Sequence, residues 1–435
     1  MSHFLRNSSN MAEGGVQAMD MDDDAKALLL HTPVLSAPEP GAPSVPTSEL
    51  SEARSWRESF HRWYTLARYV EPDSGRLDAH LWQTIARAWR TIENWLADHL
   101  PAILGTLGEP AKPGGADGLA QIASRPLRYI LAVHNGQTIA LDQVLLDGDT
   151  DRARTLQDDI VLGCLGGYSA YDHVVCMRMH PRARSLKLMR KLDGRISLVC
   201  DAGALDLFAA NFRFDRLVGA DPLGGVWVQC RGRQGLQWMN AGPSLAEWFA
   251  EYARGLRTGY YLPANIHIHV SSRGISLIPQ AVQGDECTRA VTNGVEVVAS
   301  AVYAFEHPQM FCYSIRLRLL EDAPFASVQL CSRHWEIHAE DGSTRRVDGE
   351  GVVGLYPVLR AGGGFRNDNQ LTGPMMTRGV ESDDAFVYQS FAGPIPGSRF
   401  GGAITFQPGE LEAPAGAQFR AAVAHFALRV PEFLF

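Results

Sequence analysis

The sequence predicts an α+β region followed by an all-β sandwich. Three observations carry that expectation. Apolar residues recur at spacings of three and four from about Ser55 to Leu96 and again from Leu245 to Leu256. Between these stretches lie short apolar runs broken by Gly, Pro and Asp. From about Val291 to the end only period-two alternation and turn dipeptides remain, over a length that one sandwich fills.

Composition sets the outer limits. With 435 residues, 46% apolar and 20% charged, the chain has the make-up of a globular protein of two or three domains. A net charge of −8 supplies no basic field for phosphate backbones or anionic lipid, so nucleic acid and membrane surface are not expected partners. The seven cysteines form no C-x-x-C pair, which points away from a zinc site or a disulfide framework. No apolar run approaches the ~20 residues of a membrane span, and "ALLLHTPVL" follows the acidic "MDMDDD" rather than a basic segment. Cytoplasm or nucleus is the expected location.

The expected domains are a leader over 1–50, an α+β domain over 51–285 and a β-sandwich over 286–435. In the leader, Pro33, Pro38, Pro40, Pro43 and Pro46 prevent helix or strand from propagating. Trp56, Phe60, Trp63 and Ala67 then share one helical face, and Trp82, Ile85, Trp89, Ile92 and Leu96 form a second stripe. Such tryptophans can bind a sugar or a partner helix, but their first use is to fill the core between helices. "LGEPAKPGGADG" ends the helical section. "YILAV" (129–133) is read as the first strand, followed by an Asn135-Gly136 turn. Further strands are expected at "IVLGCLGGY", "HVVCMRM", "RISLVC" and "GGVWVQC".

Ser244 is an N-cap candidate with Glu247 three residues on. Leu245, Trp248, Phe249, Tyr252 and Leu256 form the buried stripe of that helix, and Gly255 or Gly259 ends it. "SSRGISLIPQAVQGDECTRA" reads as a connector. In the sandwich, "SIRLRLL" alternates Ile315, Leu317 and Leu319 with Arg316 and Arg318, and "AITFQPG" and "HFALRVPEF" alternate likewise.

"SVQLCSRHWEI" holds its apolar residues at Val328 and Leu330, then at Trp335 and Ile337. A strand changes parity only by gaining a residue, so a bulge is expected between Cys331 and His334, where Arg333 and His334 can be re-aimed. Asp341-Gly342 is a hairpin turn leading back into Gly349-Glu-Gly351-Val-Val-Gly354. That run has the spacing of a dinucleotide fingerprint, yet a β-branched, proline-containing segment follows it where a helix should start, so the βαβ context is missing. Two readings remain. The glycines permit a sharp positive-φ turn, or their amides form a nest for a small anion read by Arg333 or Arg345.

Other constellations are weaker. His267 and His269 share a strand face without a third ligand, so no metal site is assigned. "GGYSAYDH" gathers Tyr168, Tyr171, Asp172 and His173, and Tyr168, Tyr171 and His334 are the candidate partner-facing residues. No nucleophile elbow or paired-carboxylate site is present, so no catalytic residue and no cofactor is assigned.

"SVQLCSRHWEI", "GEGVVGLYPVL", "FVYQSFAGP", "GGAITFQPGEL" and "FALRVPEFLF" together resemble the ApaG domain over about 291–435. The resemblance implies an immunoglobulin/fibronectin-like sandwich and no established catalytic activity, with "RAGGGFRNDNQLTGPMMTRGVESDD" (360–384) as an inserted, mobile loop. "WRTIENWLADHLPAILGTL", "YILAVHNGQ" and "GCLGGYSAYDH" resemble the SUKH (Smi/Knr-like) domain. The pairing is similar to F-box proteins that combine these two domains. It implies a substrate receptor of a Skp-cullin-F-box ubiquitin ligase, holding a substrate protein and a Skp-type adaptor. The F-box itself, with its Leu-Pro opening and helices, is not recognisable in the Pro-rich leader.

Overall fold

The computed structural model describes residue 71 and residues 78–110, 119–137, 163–170, 173–191, 197–206, 211–232, 235–265, 273–282, 284–366, 381–382, 385–393 and 395–435. The leader, the Trp56 to Ala67 face, Tyr171, Asp172, His267, His269 and 367–380 of the expected insertion lie outside them. The chain divides into compact units 1–83 and 84–435, and nearly all described residues belong to the second.

Helix α1 (Ala79–His99) buries Trp82, Ile85, Trp89, Ile92 and Leu96, the stripe set by their spacing. After the single turn α2 (Pro101–Leu104), "YILAV" corrects the sequence expectation, because it ends helix α3 (Arg125–Val133) and is not a strand. Pro126 sits in the first turn, where its missing N–H costs nothing. Leu127, Tyr129, Ile130, Leu131 and Val133 are all buried, and the Trp89 indole donates to the Ile130 carbonyl at 3.1 Å. Burial on several sides overrides the β-branched preference of Ile130 and Val133. Asn135-Gly136 does turn, with φ +64° at Gly136.

An antiparallel meander follows, with strands β1 (Gly167–Ala170), β2 (His173–Met179), β3 (Ser197–Asp206), β4 (Asn211–Ala220), β5 (Val226–Gly232) and β6 (Gly235–Gly242) in sequential order. Helix α4 (Arg182–Lys191) lies between β2 and β3. The strand expected at "IVLGCLGGY" starts only at Gly167. Residues 163–166 form a turn in which Gly166 takes φ +79°. Helix α5 (Leu245–Arg257) has its expected cap, since the Ser244 hydroxyl oxygen accepts from the Glu247 amide at 3.2 Å. Gly259, at φ +71°, supplies the left-handed residue past its end, whereas Gly255 is packed against the Tyr261 ring. The connector opens with strand β8 (Arg273–Ile275), which pairs with β7 (Pro263–Asn265) just ahead of it.

Every described element beyond the connector is a strand: β9 (Cys287–Thr292), β10 (Val295–Tyr303), β11 (Phe311–Leu319), β12 (Ser327–His338), β13 (Thr344–Glu350), β14 (Val358–Arg360), β15 (Phe365–Arg366), β16 (Glu381–Ser382), β17 (Ala385–Ala392), β18 (Arg399–Pro408) and β19 (Phe419–Ala427). One sheet runs β16-β17-β11-β10-β9. The other runs β15-β14-β12-β18-β19, with β13 also on β12. Tyr313 of β11 meets Trp335 of β12 and Phe400 of β18 at ring-centroid distances of 6.2 and 4.8 Å, so the sheets share an aromatic core.

The bulge in β12 is present but lies earlier than expected, between Leu330 and Ser332, so the extra residue is Cys331, and Arg333 and His334 keep regular register on both sides. Beyond it Trp335 and Ile337 point inward. The edge of β12 opposite β18 is shared by two strands: β14 pairs with 327–329 and β13 with 332–338. The chain must therefore leave that edge and rejoin it around the bulge, and the glycine run makes the detour.

The chain's end ties the sandwich to the α+β region. The Trp248 indole donates to the Leu434 carbonyl at 2.7 Å, and the Leu434 amide donates to the Ala241 carbonyl at 2.9 Å. Phe435 lies against Trp248, Tyr252 and Tyr261.

Candidate functional site at the glycine turn and the adjoining cleft

Val352 and Leu355 exchange both backbone hydrogen bonds, at 2.9 and 2.8 Å, around central residues Val353 (φ +44°) and Gly354 (φ +77°). This is a tight turn of the type that needs two left-handed residues. Gly351, at φ +55°, turns the chain out of β13, and its amide donates to the carbonyl of the bulge residue Cys331 at 2.8 Å. No helix follows, so the dinucleotide reading has no structural basis here. The amides of Gly351, Val352 and Leu355 are all engaged within this turn and its neighbour strand.

Gly349 differs from the sequence expectation. It is a strand residue opposite Arg333, not part of the turn. A Cβ there would come within 2.9 Å of the Arg333 guanidinium, so glycine is needed for the arginine to lie flat across β13. Nη1 of Arg333 donates to the carbonyls of Glu350 and Gly351 at 3.0 and 2.7 Å. Arg333 thus holds the turn from below.

The inward-facing residues Arg333, Trp335 and Ile337 continue across the register onto Arg345 and Val347 of β13. Together with Phe400 of the neighbouring strand β18 they line a cleft of about 200 Å³, closed on the side of the opposing sheet by Tyr313, Ser390 and Phe391. Arg345 is exposed at its rim and makes no ion pair with another described residue. The structure therefore places Arg333 and Arg345 on one cleft, whereas Gly349, Gly351 and Gly354 do not line it, and Arg333 connects the two through its bond to the Gly351 carbonyl.

The other predicted residues lie elsewhere. His334 is on the outer face of β12, its Nδ1 on Asp348 Oδ1 at 2.6 Å and its Nε2 near Ser332 and Thr405 hydroxyls. Tyr168, expected to face a partner, is fully buried, and its hydroxyl donates to the Glu306 carboxylate. His173 Nε2 reaches the same carboxylate at 3.0 Å. His307 stacks on Phe391 at 3.6 Å, with His173 against both rings, so this buried polar group backs the cleft wall. Glu306 carried no sequence signal and Phe391 entered only within the "FVYQSFAGP" resemblance, because their importance comes from meeting residues of another sheet.

No activated thiol emerges among the cysteines with a shifted pKa. Burial pushes Cys164 up to about 12 and Cys287 up to about 11, and it raises Cys312 and Cys331 as well.

The fold and cleft define a β-sandwich-like domain joined to an α+β region. A sequence model of the ApaG domain matches residues 304–373, which include the bulged strand and the glycine turn. The chain is 33% identical over 124 residues to Protein ApaG of Xanthomonas campestris pv. campestris (strain B100), covering 28% of this chain and 76% of that protein. The chain belongs to the ApaG family. It is also 28% identical over 421 residues to F-box protein SKIP16 of Arabidopsis thaliana, covering 87% of this chain and 85% of that one. To F-box only protein 3 of Homo sapiens it is 23% identical over 324 residues, 69% of this chain and 60% of the relative's length. No helix among the described residues is long and apolar enough to cross a membrane.

Proposed function

We propose that the protein is a non-catalytic recognition protein, the substrate-receptor component of a Skp-cullin-F-box ubiquitin ligase. The observation that carries this reading is the 28% identity to an F-box protein along 87% of the chain, through the α+β region as well as the sandwich. On this reading residues 51–285 are a SUKH-type domain and 286–435 an immunoglobulin/fibronectin-like ApaG sandwich. The leader is where an adaptor-binding segment is to be sought, and the protein works in the cytoplasm or nucleus. The cleft supplies the recognition chemistry. Trp335, Phe391 and Phe400 offer an apolar floor for one anchoring side chain, and Arg333 and Arg345 favour an acidic neighbour on the same peptide.

Co-purification of the full chain with a Skp-type adaptor tests the reading, with an intact F-box grafted ahead of Ser55 as the positive control. Binding by the unmodified chain is expected. Binding by the graft alone would sink the ligase role.

A second reading, a small anion held at the rim of the glycine turn, is favoured by one observation: Arg345 is exposed at the cleft without an ion pair among the described residues. Titration with inorganic phosphate, compared between the wild type and Arg345→Ala, distinguishes it from peptide recognition. Gly351→Glu does not, because a Cβ at Gly351 would stand 2.7 Å from the Leu355 carbonyl oxygen and break the turn itself.

A further inference from the structure

On the outer face of the second sheet, Glu336, His338 and His425 bring three ligand atoms within 4.8 Å of one another, all half-buried. Glu336 and His338 are two apart on β12 and so share a face. His425 arrives from β19, with β18 in between, and two features of the backbone allow it. The β18–β19 register slips between Phe400 and Gly402, which places an extra β19 residue at Ala424–His425 and re-aims the histidine outward. The residue under its ring is Gly401, where a Cβ would lie 2.8 Å from His425 Cγ. Any other residue there would push the imidazole away from β12.

On Glu336 and His338 the atoms not facing the cluster are already engaged. His338 Nδ1 pairs with the Thr344 hydroxyl at 2.9 Å, which leaves Nε2 for the cluster, 3.9 Å from Glu336 Oε2. Glu336 Oε1 accepts from Arg346 Nε at 3.1 Å, and Arg399 donates to the His425 carbonyl at 2.9 Å. The Thr344 and Arg346 bonds are of the kind that orient ligands in metal sites. By contrast, His425 Nε2 is buried with no hydrogen-bond partner, a condition that in folded proteins calls for a water or an ion.

We propose that Glu336, His338 and His425 bind a divalent transition-metal ion of the zinc class, with a fourth position open to water. Two imidazoles and one carboxylate are a zinc donor set, whereas magnesium and calcium prefer oxygen alone. Around zinc, ligand atoms sit about 3.3 Å apart at ~2.0–2.1 Å bonds, so small rotations of these half-exposed side chains close the site. Arg346 and Arg399 oppose a cation and limit the affinity. The bound ion clamps β12 to β19 across β18.

Titration of the full chain with Zn2+ by calorimetry, and with Co2+ followed by its visible absorption, tests the assignment. One saturable site is expected in the wild type, weakened at least ~10-fold by Thr344→Val and lost in the His338→Ala/His425→Ala pair. The metal-free variants should melt within a few degrees of the wild type, and Zn2+ should raise the melting point of the wild type alone. If the double variant fails to fold, Glu336→Gln takes its place, with at least ~10-fold weaker binding expected. Equal isotherms for the wild type and the ligand variants, or no saturable binding by the wild type, would overturn the site.

Discussion

Val353 is the residue at which local conformation and side chain disagree most. It is β-branched, it is not glycine, and it holds φ +44° at the first central position of a turn that prefers Asn or Gly. A left-handed L-residue costs roughly 1–2 kcal/mol. Val353→Asn is therefore expected to stabilise the protein by about 0.5–1 kcal/mol, read as a higher urea midpoint at unchanged m-value. A lower midpoint would mean that the half-buried valine side chain contributes more packing than the backbone loses. The two cleft arginines separate in the same assay. Arg333→Ala removes the guanidinium hydrogen bonds to Glu350 and Gly351, so a loss of about 1–3 kcal/mol is expected. Arg345→Ala should stay within about 0.5 kcal/mol of the wild type while weakening whatever the cleft binds. If both variants were equally destabilised, Arg345 would be structural and the recognition surface would have to be sought elsewhere.

Elements differ in how far the sequence discloses them, and the reason is the range of the interactions that decide each one. Helix α5 was legible because its cap, stripe and terminator are all local: Ser244 with Glu247, Leu245 through Leu256, then Gly259. The bulge in β12 was legible because a change of parity is written along one strand, although its residue, Cys331, is fixed by pairing with β18. The "YILAV" helix was not, since the preference of five apolar residues is a weak prior against burial beside α1. The glycine run could be recognised as a turn. Its purpose, to carry the chain around the bulge between two strands that share one edge, depends on pairings distant in sequence. The cleft was half legible for a like reason. Arg333 and Arg345 stood out beside the turn, but Phe391 and Phe400 come from strands far along the chain. Likewise, Glu336 and His338 are neighbours in "HWEIH", while His425 joins them only through the β19 slip.

At the scale of the whole molecule, the α+β region and the sandwich are expected to unfold together. Among the described residues, buried connections at two places join them inside the unit 84–435. One is the chain's end, where Leu434 and Phe435 are 4% and 9% exposed and the Trp248 indole takes its acceptor from Leu434. The other is Glu306, whose 1%-exposed side chain accepts from Tyr168 and His173 across the joint. Truncation after Pro431 removes two buried apolar side chains, each worth about 1.5–3 kcal/mol, and orphans the indole N–H. Glu306→Ala removes a buried acceptor on which Tyr168 and His173 converge, a change of about 1–3 kcal/mol for the hydrogen-bond partners left unsatisfied. Calorimetry of the wild type should give one transition whose calorimetric and van't Hoff enthalpies agree. Either change alone should lower that single transition. Both together should divide it in two, because each region keeps its own core and only the coupling is lost. A single transition in the doubly altered chain would place the coupling in the remaining contacts across the joint, such as those of β1 with β17. Two transitions in the wild type would mean that the joint is weaker than its burial implies, and that His173 can leave His307 and Phe391 while the sandwich stays folded.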